Sequence, residues 1–193
     1  MGAAWLGAAY TERQANARLA KERKHKLADD AAADGKVEAV LKAKRASSLL
    51  ILALHLERYA EECANTVSDN SEPDLEFAAG LPKFPPWPAI DWDVIGASET
   101  ATVRDIETMV RLRESYVQAD VHYAAVDAND AAGFYSVGAA KTGLEAWRAA
   151  VELRGKAQVP PLRFPPDGEG WNFVETLERE VARHRQERED ARS

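Results

Sequence analysis

The four histidines come first in a search for chemistry, because imidazole is the commonest metal ligand and titrates near neutral pH. They are His25, His55, His122 and His184. A di-iron helical bundle needs Glu-x-x-His on each of two helices, and the sequence does not contain two such pairs. The only cysteine, Cys63, cannot form a Cys-x-x-Cys zinc pair. The sequence therefore predicts no metal site and no cofactor.

Known catalytic motifs are also missing. The chain has no GxxxxGK[ST] phosphate loop, no GxGxxG, no GxSxG and no HExxH. His55 with Glu62, and His122 beside Asp120, are the acid–base pairs that folding could assemble. We expect these histidines instead to find hydrogen-bond partners at the boundary of a core.

One spacing near the C-terminus has a possible catalytic interpretation. Arg179 and His184 are separated by four residues. This R-x4-H spacing resembles the motif of the HEPN family of all-α ribonucleases, in which Arg and His act on an RNA phosphodiester at a dimer interface. The resemblance covers residues 179–184, and Glu180 stands where a polar residue often follows the arginine. It implies an all-α nuclease or hydrolase; the alternative is the solvated face of a charged helix.

The charge distribution bears on partners. Before residue 46 the chain holds ten basic and six acidic residues, and after it fifteen basic and twenty-six acidic, so net charges of +4 and −11 make up the total of −7. Phosphate binding needs clustered Lys and Arg, so the acidic body predicts no nucleic-acid partner. Only the N-terminal arm could be attracted to an anionic lipid surface.

The first ten residues raise the question of a membrane. Gly2 to Tyr10 carry no charge and include Trp5 and Leu6, and a basic stretch follows. A helix of this length rises only about 14 Å, about half of a bilayer core. One interpretation is a remnant of a longer anchor with Trp5, Leu6 and Tyr10 close to the membrane; the other is a soluble amphipathic helix. We expect a cytoplasmic protein, with the cytoplasmic face of a membrane as the alternative.

Apolar spacing of three and four residues predicts an all-α fold. We expect a basic helical arm over residues 1–35 and a single bundle of about four core helices over residues 36–193. Leu49, Leu52, Leu56, Tyr59 and Cys63 form the clearest core stripe. A coiled coil through the arm has a thin seam, since two of its eight positions are cationic. Gly35 marks either a break or a weak point in a longer helix.

Further apolar patterns belong to the core helices. Ile51 and Leu54 widen the apolar surface of the first one. The helix that runs to about Asp127 has a second apolar side with Met109, Leu112, Tyr116 and Tyr123, so we expect it to contact neighbours on two faces. The helix after it carries the stripe Val137, Ala140, Leu144, Trp147 and Val151. The expected N-caps of these two helices are Ser98 or Thr100 and Asn129 or Asp130, and the charged C-terminal tail should fray.

Two loops rich in proline and aromatic residues are predicted between the helices. LPKFPP at 81–86 and PLRFPP at 161–166 share a basic residue, a phenylalanine and two prolines. Phe84, Trp87 and Trp92 are the candidate binding residues, because such a loop could dock into a polyproline-binding domain. The alternative is that these aromatic residues fold back and cover the bundle ends.

These observations favour a non-enzymatic all-α interaction or scaffold protein. Its partner would be another protein or a second copy of the chain, with a membrane surface as a further contact of the N-terminal helix. The all-α nuclease or hydrolase with Arg179 and His184 is the alternative.

Overall fold

Helices account for all the regular structure that the computed structural model describes, over residues 3–72, 76–164 and 171–192, without the side chains of residues 3–17 and Ala20. They are α1 (Ala3–Asp69), α2 (Ala97–Ala124), α3 (Ala128–Lys156) and α4 (Phe173–Asp190). A 3-10 turn, Trp92–Val94, precedes α2. The four helices pack together, so the predicted all-α bundle with a long N-terminal helix is confirmed.

The chain divides into two units, one ending at Lys44 and the other beginning at Arg45. Helix α1 passes through Gly35 without a break, so this glycine lies inside a longer helix. The described side chains from Lys21 to Lys44 are all exposed. The domain assignment of 1–35 and 36–193, and the coiled coil, stay predictions.

The second unit has its core along the last six turns of α1. Leu49, Leu52, Leu56, Tyr59 and Cys63 are all buried, which confirms the predicted stripe. Ile51 and Leu54, which were expected to widen the apolar surface, are exposed. The core therefore uses one face of α1, and Val103, Leu153 and Leu177 complete it from the other three helices.

Helix α3 buries only part of its predicted stripe, together with many small residues. Ala140 and Leu144 are buried as expected, Val137 and Trp147 are half-buried, and Val151 is exposed. The buried side is lined by Ala132, Ala139, Ala140, Ala146, Ala149, Ala150 and Leu153. A Cβ on Gly143 would lie 2.8 Å from the Cys63 Cβ and 2.9 Å from Leu177 Cδ1. Small residues on α3 therefore let α1 and α4 approach closely.

The helix ends differ from those predicted. Gly96, rather than Ser98 or Thr100, is the N-cap of α2. The N-cap of α3 is Asp127, whose carboxylate accepts a hydrogen bond from the Asp130 backbone N at 3.0 Å. Helix α4 continues to Asp190, although the charged tail was expected to fray. A side-chain cap therefore fixes the start of α3, whereas α2 begins after Gly96 without one.

A buried ion pair joins α1 to α3. The Arg154 guanidinium donates to both carboxylate oxygens of Glu57, with Nη2 lying 2.9 Å from Oε2. Its Nη1 donates to the Pro160 carbonyl at 3.1 Å. The side chains are nearly inaccessible, with Glu57 6% and Arg154 8% exposed. Glu57 raises the pKa of Arg154, so the guanidinium stays charged, and this one side chain fixes two helices and the second proline loop.

Candidate functional site

The structure does not bring Arg179 and His184 into one site. Five residues along an α-helix turn the second side chain about 140° away from the first. His184 lines a groove and is half-buried, whereas Arg179 is exposed and is not among the groove's lining residues. The nuclease or hydrolase assignment of this pair stays a prediction.

The other acid–base candidates are also separate. His122 is exposed, and its ring contacts Tyr123, with 4.7 Å between the centroids. His55 contacts two aromatic rings of the first proline loop, and Glu62 on the same helix is exposed. The Cys63 thiol is buried, and burial raises its pKa to about 12, so it is not a thiolate at neutral pH.

The first proline loop folds onto the bundle. Phe84 packs against Tyr59 with 4.9 Å between the ring centroids and against Trp87 with 4.8 Å. Trp87 Nε1 donates to the Glu107 carboxylate on α2 at 3.0 Å. Trp92 contacts Trp87, and the Arg104 guanidinium lies 5.4 Å from its ring centroid. Phe84, Trp87 and Trp92 thus contact their own chain, and their binding role stays a prediction.

The second proline loop repeats this arrangement. Phe164 packs against Trp147 and Phe173, with 5.7 Å and 5.2 Å between ring centroids. The phenylalanine of each FPP sequence therefore anchors its loop in an aromatic cluster. Aromatic residues of both loops pack against the core, as in the alternative in which the loops fold back onto the bundle.

His55 lies beneath the first loop with an orphaned ring nitrogen. Its Nε2 is buried and has no hydrogen-bond partner among the residues that the structure describes. Phe84 packs edge-on at 5.7 Å, and the Trp87 ring centroid lies at 5.1 Å. Burial, with a smaller effect of the Arg58 charge, lowers the pKa of His55. The neutral imidazole is therefore the form that the folded protein favours.

Acid should destabilise the protein through His55. The unfolded state binds a proton near pH 6.5 and the folded state only at lower pH, so the stability gained above pH 6.5 is lost as the pH falls through the lowered pKa. His55→Phe should flatten the fall in the free energy of unfolding below pH 6.5, measured by urea unfolding across pH. His122→Gln is the control; the same flattening there would contradict the assignment.

An open groove of about 870 Å³ lies between α2, α3 and α4. Its apolar lining includes Met109, Leu112, Tyr116, Phe134 and Val137. Leu112 is 54% and Tyr116 71% exposed, although this side of α2 was expected to contact a second neighbour. Large apolar side chains therefore face water on a surface that three helices line together.

Contacts between α2 and α3 fix how these two helices lie against each other along the groove. Helix α2 ends at Ala124 and α3 begins at Ala128, so the two helices are joined by a short connection. A Cβ on Gly138 would lie 2.6 Å from Val117, and Arg113 pairs with Glu145 at 3.3 Å. The two helices therefore run antiparallel along the groove.

Charged groups rim the groove unevenly. Asp120 and Asp130 lie at the end near the connection between α2 and α3. Lys141, His184 and Arg188 lie on the side formed by α3 and α4. The groove thus has an acidic end and a basic side within a body whose overall charge is strongly negative.

The predicted membrane-proximal residues cannot be placed at the level of side chains. Trp5, Leu6 and Tyr10 lie in α1, and their side chains are outside the described part of the chain. No helix of the described residues combines the length and apolar character that crossing a bilayer requires.

Comparison with known proteins gives a uniform result. No family model, no curated protein and no solved structure matches this chain.

Within residues 3–72, 76–164 and 171–192, no three His, Cys, Asp or Glu side chains are grouped to hold a metal ion.

Proposed function

We propose that this chain is a non-enzymatic interaction protein that binds an amphipathic helical segment of a partner protein in the groove between α2, α3 and α4. The observation that carries the proposal is the exposure of Leu112 and Tyr116 beside the half-buried rings and methyl groups of Phe134 and Val137. Contiguous exposed apolar surface with a polar rim is typical of interaction sites.

The dimensions of the groove favour a helix as the occupant. On α2 the lining runs from Asp105 to Ala124, which spans about 28 Å at about 1.5 Å per residue. A bound helix of about 18 residues has the same length. Helix-in-groove recognition places apolar residues at spacings of three and four into such a surface.

The packing around the groove supports the same occupant. Helices α2 and α4 each pack against α3, and both contribute to the walls of the groove. A further helix laid between them would bury Leu112, Tyr116 and Val137 at the usual distance between helix axes, about 8 to 10 Å. The partner would supply the missing element of a local four-helix arrangement.

The charges on the rim of the groove favour a particular distribution of charge along the partner segment. Asp120 and Asp130 favour a basic residue at one end of the segment, and the side with Lys141 favours an acidic one. Such complementarity sets the direction in which the helix lies.

The proposal also includes the location of the protein and a role for its N-terminal arm. We place the protein in the cytoplasm, as its single cysteine suggests. Leu27, Val37 and Leu41 on the arm are exposed. Self-association through the arm, and an approach of its apolar tip to a membrane surface, stay predictions.

A designed peptide tests the groove. A fluorescein-labelled helical peptide of about 18 residues, with leucines at spacings of three and four, should bind the full chain saturably in fluorescence anisotropy. Leu112→Asp should weaken binding at least about tenfold, because a carboxylate would replace a central apolar contact. Leu27→Asp changes another exposed leucine, which lies outside the groove, and should bind normally. Equal affinities for all three proteins would contradict the proposal.

A further inference from the structure

Lys141 occupies an unusual electrostatic position on the wall of the groove. It lies on α3 and is half-buried. Burial lowers the pKa of its ammonium, and the charges of Arg113 and Arg188 lower it further. In the described part of the chain, no carboxylate offsets these effects. The lysine therefore faces two cations from the neighbouring helices α2 and α4.

His184 on α4 belongs to the same cluster. Burial lowers the pKa of its imidazole, the Lys141 charge lowers it further, and Glu187 and Glu180 raise it in part. Lys141, His184 and Arg188 line both the groove and a smaller depression of about 300 Å³ beside it. The three cationic or protonatable groups thus meet where the two concave surfaces join.

Three carboxylates on the same helices as the cluster hold other cations. Glu145 accepts from Arg113 at 3.3 Å. Glu180 and Glu187 both pair with Arg183, each at 2.6 Å. These pairs neutralise their arginines and leave the Lys141 ammonium as the charge that an incoming anion would meet.

We infer that Lys141, His184 and Arg188 form a subsite for one carboxylate group, carried by an acidic side chain of the partner segment. This inference rests on the proposed function of the groove. A monoanion fits better than phosphate because Asp105 and Asp120 also line the groove and would repel a second negative charge. A bound carboxylate would place its oxygens toward the Lys141 ammonium, with the His184 ring donating when protonated.

Acetate serves as the probe in a first experiment on the full chain. The pKa of His184, followed by NMR of its ring, should rise on addition of acetate and reach a plateau, because a bound anion opposes the Lys141 charge. Lys141→Met should raise that pKa without acetate and abolish the further change. Lys36→Met, on the exposed arm, should behave like the wild type. An acetate effect that does not saturate, or that persists in Lys141→Met, overturns the subsite. Tighter binding of inorganic phosphate than of acetate overturns the preference for a carboxylate.

A second experiment separates the subsite from the groove itself. Two versions of the leucine-striped peptide are compared. One carries Glu and the other Gln at the position next to the apolar stripe. The Glu peptide should bind about fivefold more tightly, and Lys141→Met should erase the difference. Equal binding of the two peptides contradicts the subsite alone. Binding of neither peptide contradicts the proposed function, while the acetate experiment still decides whether the cluster binds a carboxylate.

Discussion

Replacing Glu57 by glutamine should lower the free energy of unfolding by about 3 to 5 kcal/mol. The Arg154 guanidinium would then remain buried between α1 and α3 without its counter-charge. It would keep the Pro160 carbonyl and the single amide oxygen of glutamine as acceptors, and one of Nε and Nη2 would face the amide NH2 instead of an oxygen. Urea unfolding followed by circular dichroism measures the loss.

A double substitution shows how much of this loss comes from leaving one buried charge unpaired. Glu57→Met with Arg154→Met removes both charges and keeps apolar volume, so it should be more stable than Glu57→Gln alone. Glu187→Gln breaks an exposed pair with Arg183 and should cost less than about 1 kcal/mol. A cost for Glu57→Gln as small as that of Glu187→Gln would show that the Arg154 guanidinium does not depend on its buried partner.

Two alanine substitutions in α3 should have opposite effects. Gly143→Ala should destabilise the protein by about 2 kcal/mol, because its methyl group would meet Cys63 and Leu177 at less than normal contact distance. Gly133→Ala in the same helix meets no atom within 4 Å and should stabilise by about 1 kcal/mol through helix propensity. The difference of about 3 kcal/mol appears directly in parallel thermal or urea unfolding.

Comparing Gly143→Ala with Gly133→Ala distinguishes an effect of close packing from an effect of helix propensity. If packing of α1 and α4 against α3 requires glycine at 143, the larger residue has to push the Cys63 Cβ or the Leu177 methyl groups aside. If Gly143→Ala instead stabilises the protein as Gly133→Ala does, the three helices are further apart than the structure has them.

The sequence was most informative where large apolar side chains recur on a single face. The stripe from Leu49 to Cys63 predicted the core of α1 because burial of leucine and tyrosine side chains dominates that face. On α3 the same reasoning was only partly right, because Ala140 and Leu144 are buried but Val151 is exposed. It missed Ala139, Gly143 and Ala150, which are buried and carry little apolar area. Small residues become core residues only when a neighbouring helix approaches, which the sequence of one helix does not reveal.

The groove could not be predicted from the sequence, for a related reason. Met109, Leu112 and Tyr116 were recognised as a second apolar side of α2, and this pattern is typical both of a packed face and of a binding surface. The choice depends on whether α4 reaches them, which is a property of the packing. The cluster around Lys141 joins two helices separated in sequence by a proline loop, so no local motif indicates it.

Intermolecular nuclear Overhauser effects test the central claim most directly. The measurement uses the full chain bound to the leucine-striped peptide and detects proximity between peptide methyl groups and individual side chains. The groove predicts cross-peaks to the Leu112 methyl groups, the Phe134 ring and the Val137 methyl groups. Cross-peaks confined to Val37 and Leu41 of the arm, or to Phe84 and Trp87 of the first proline loop, would contradict it.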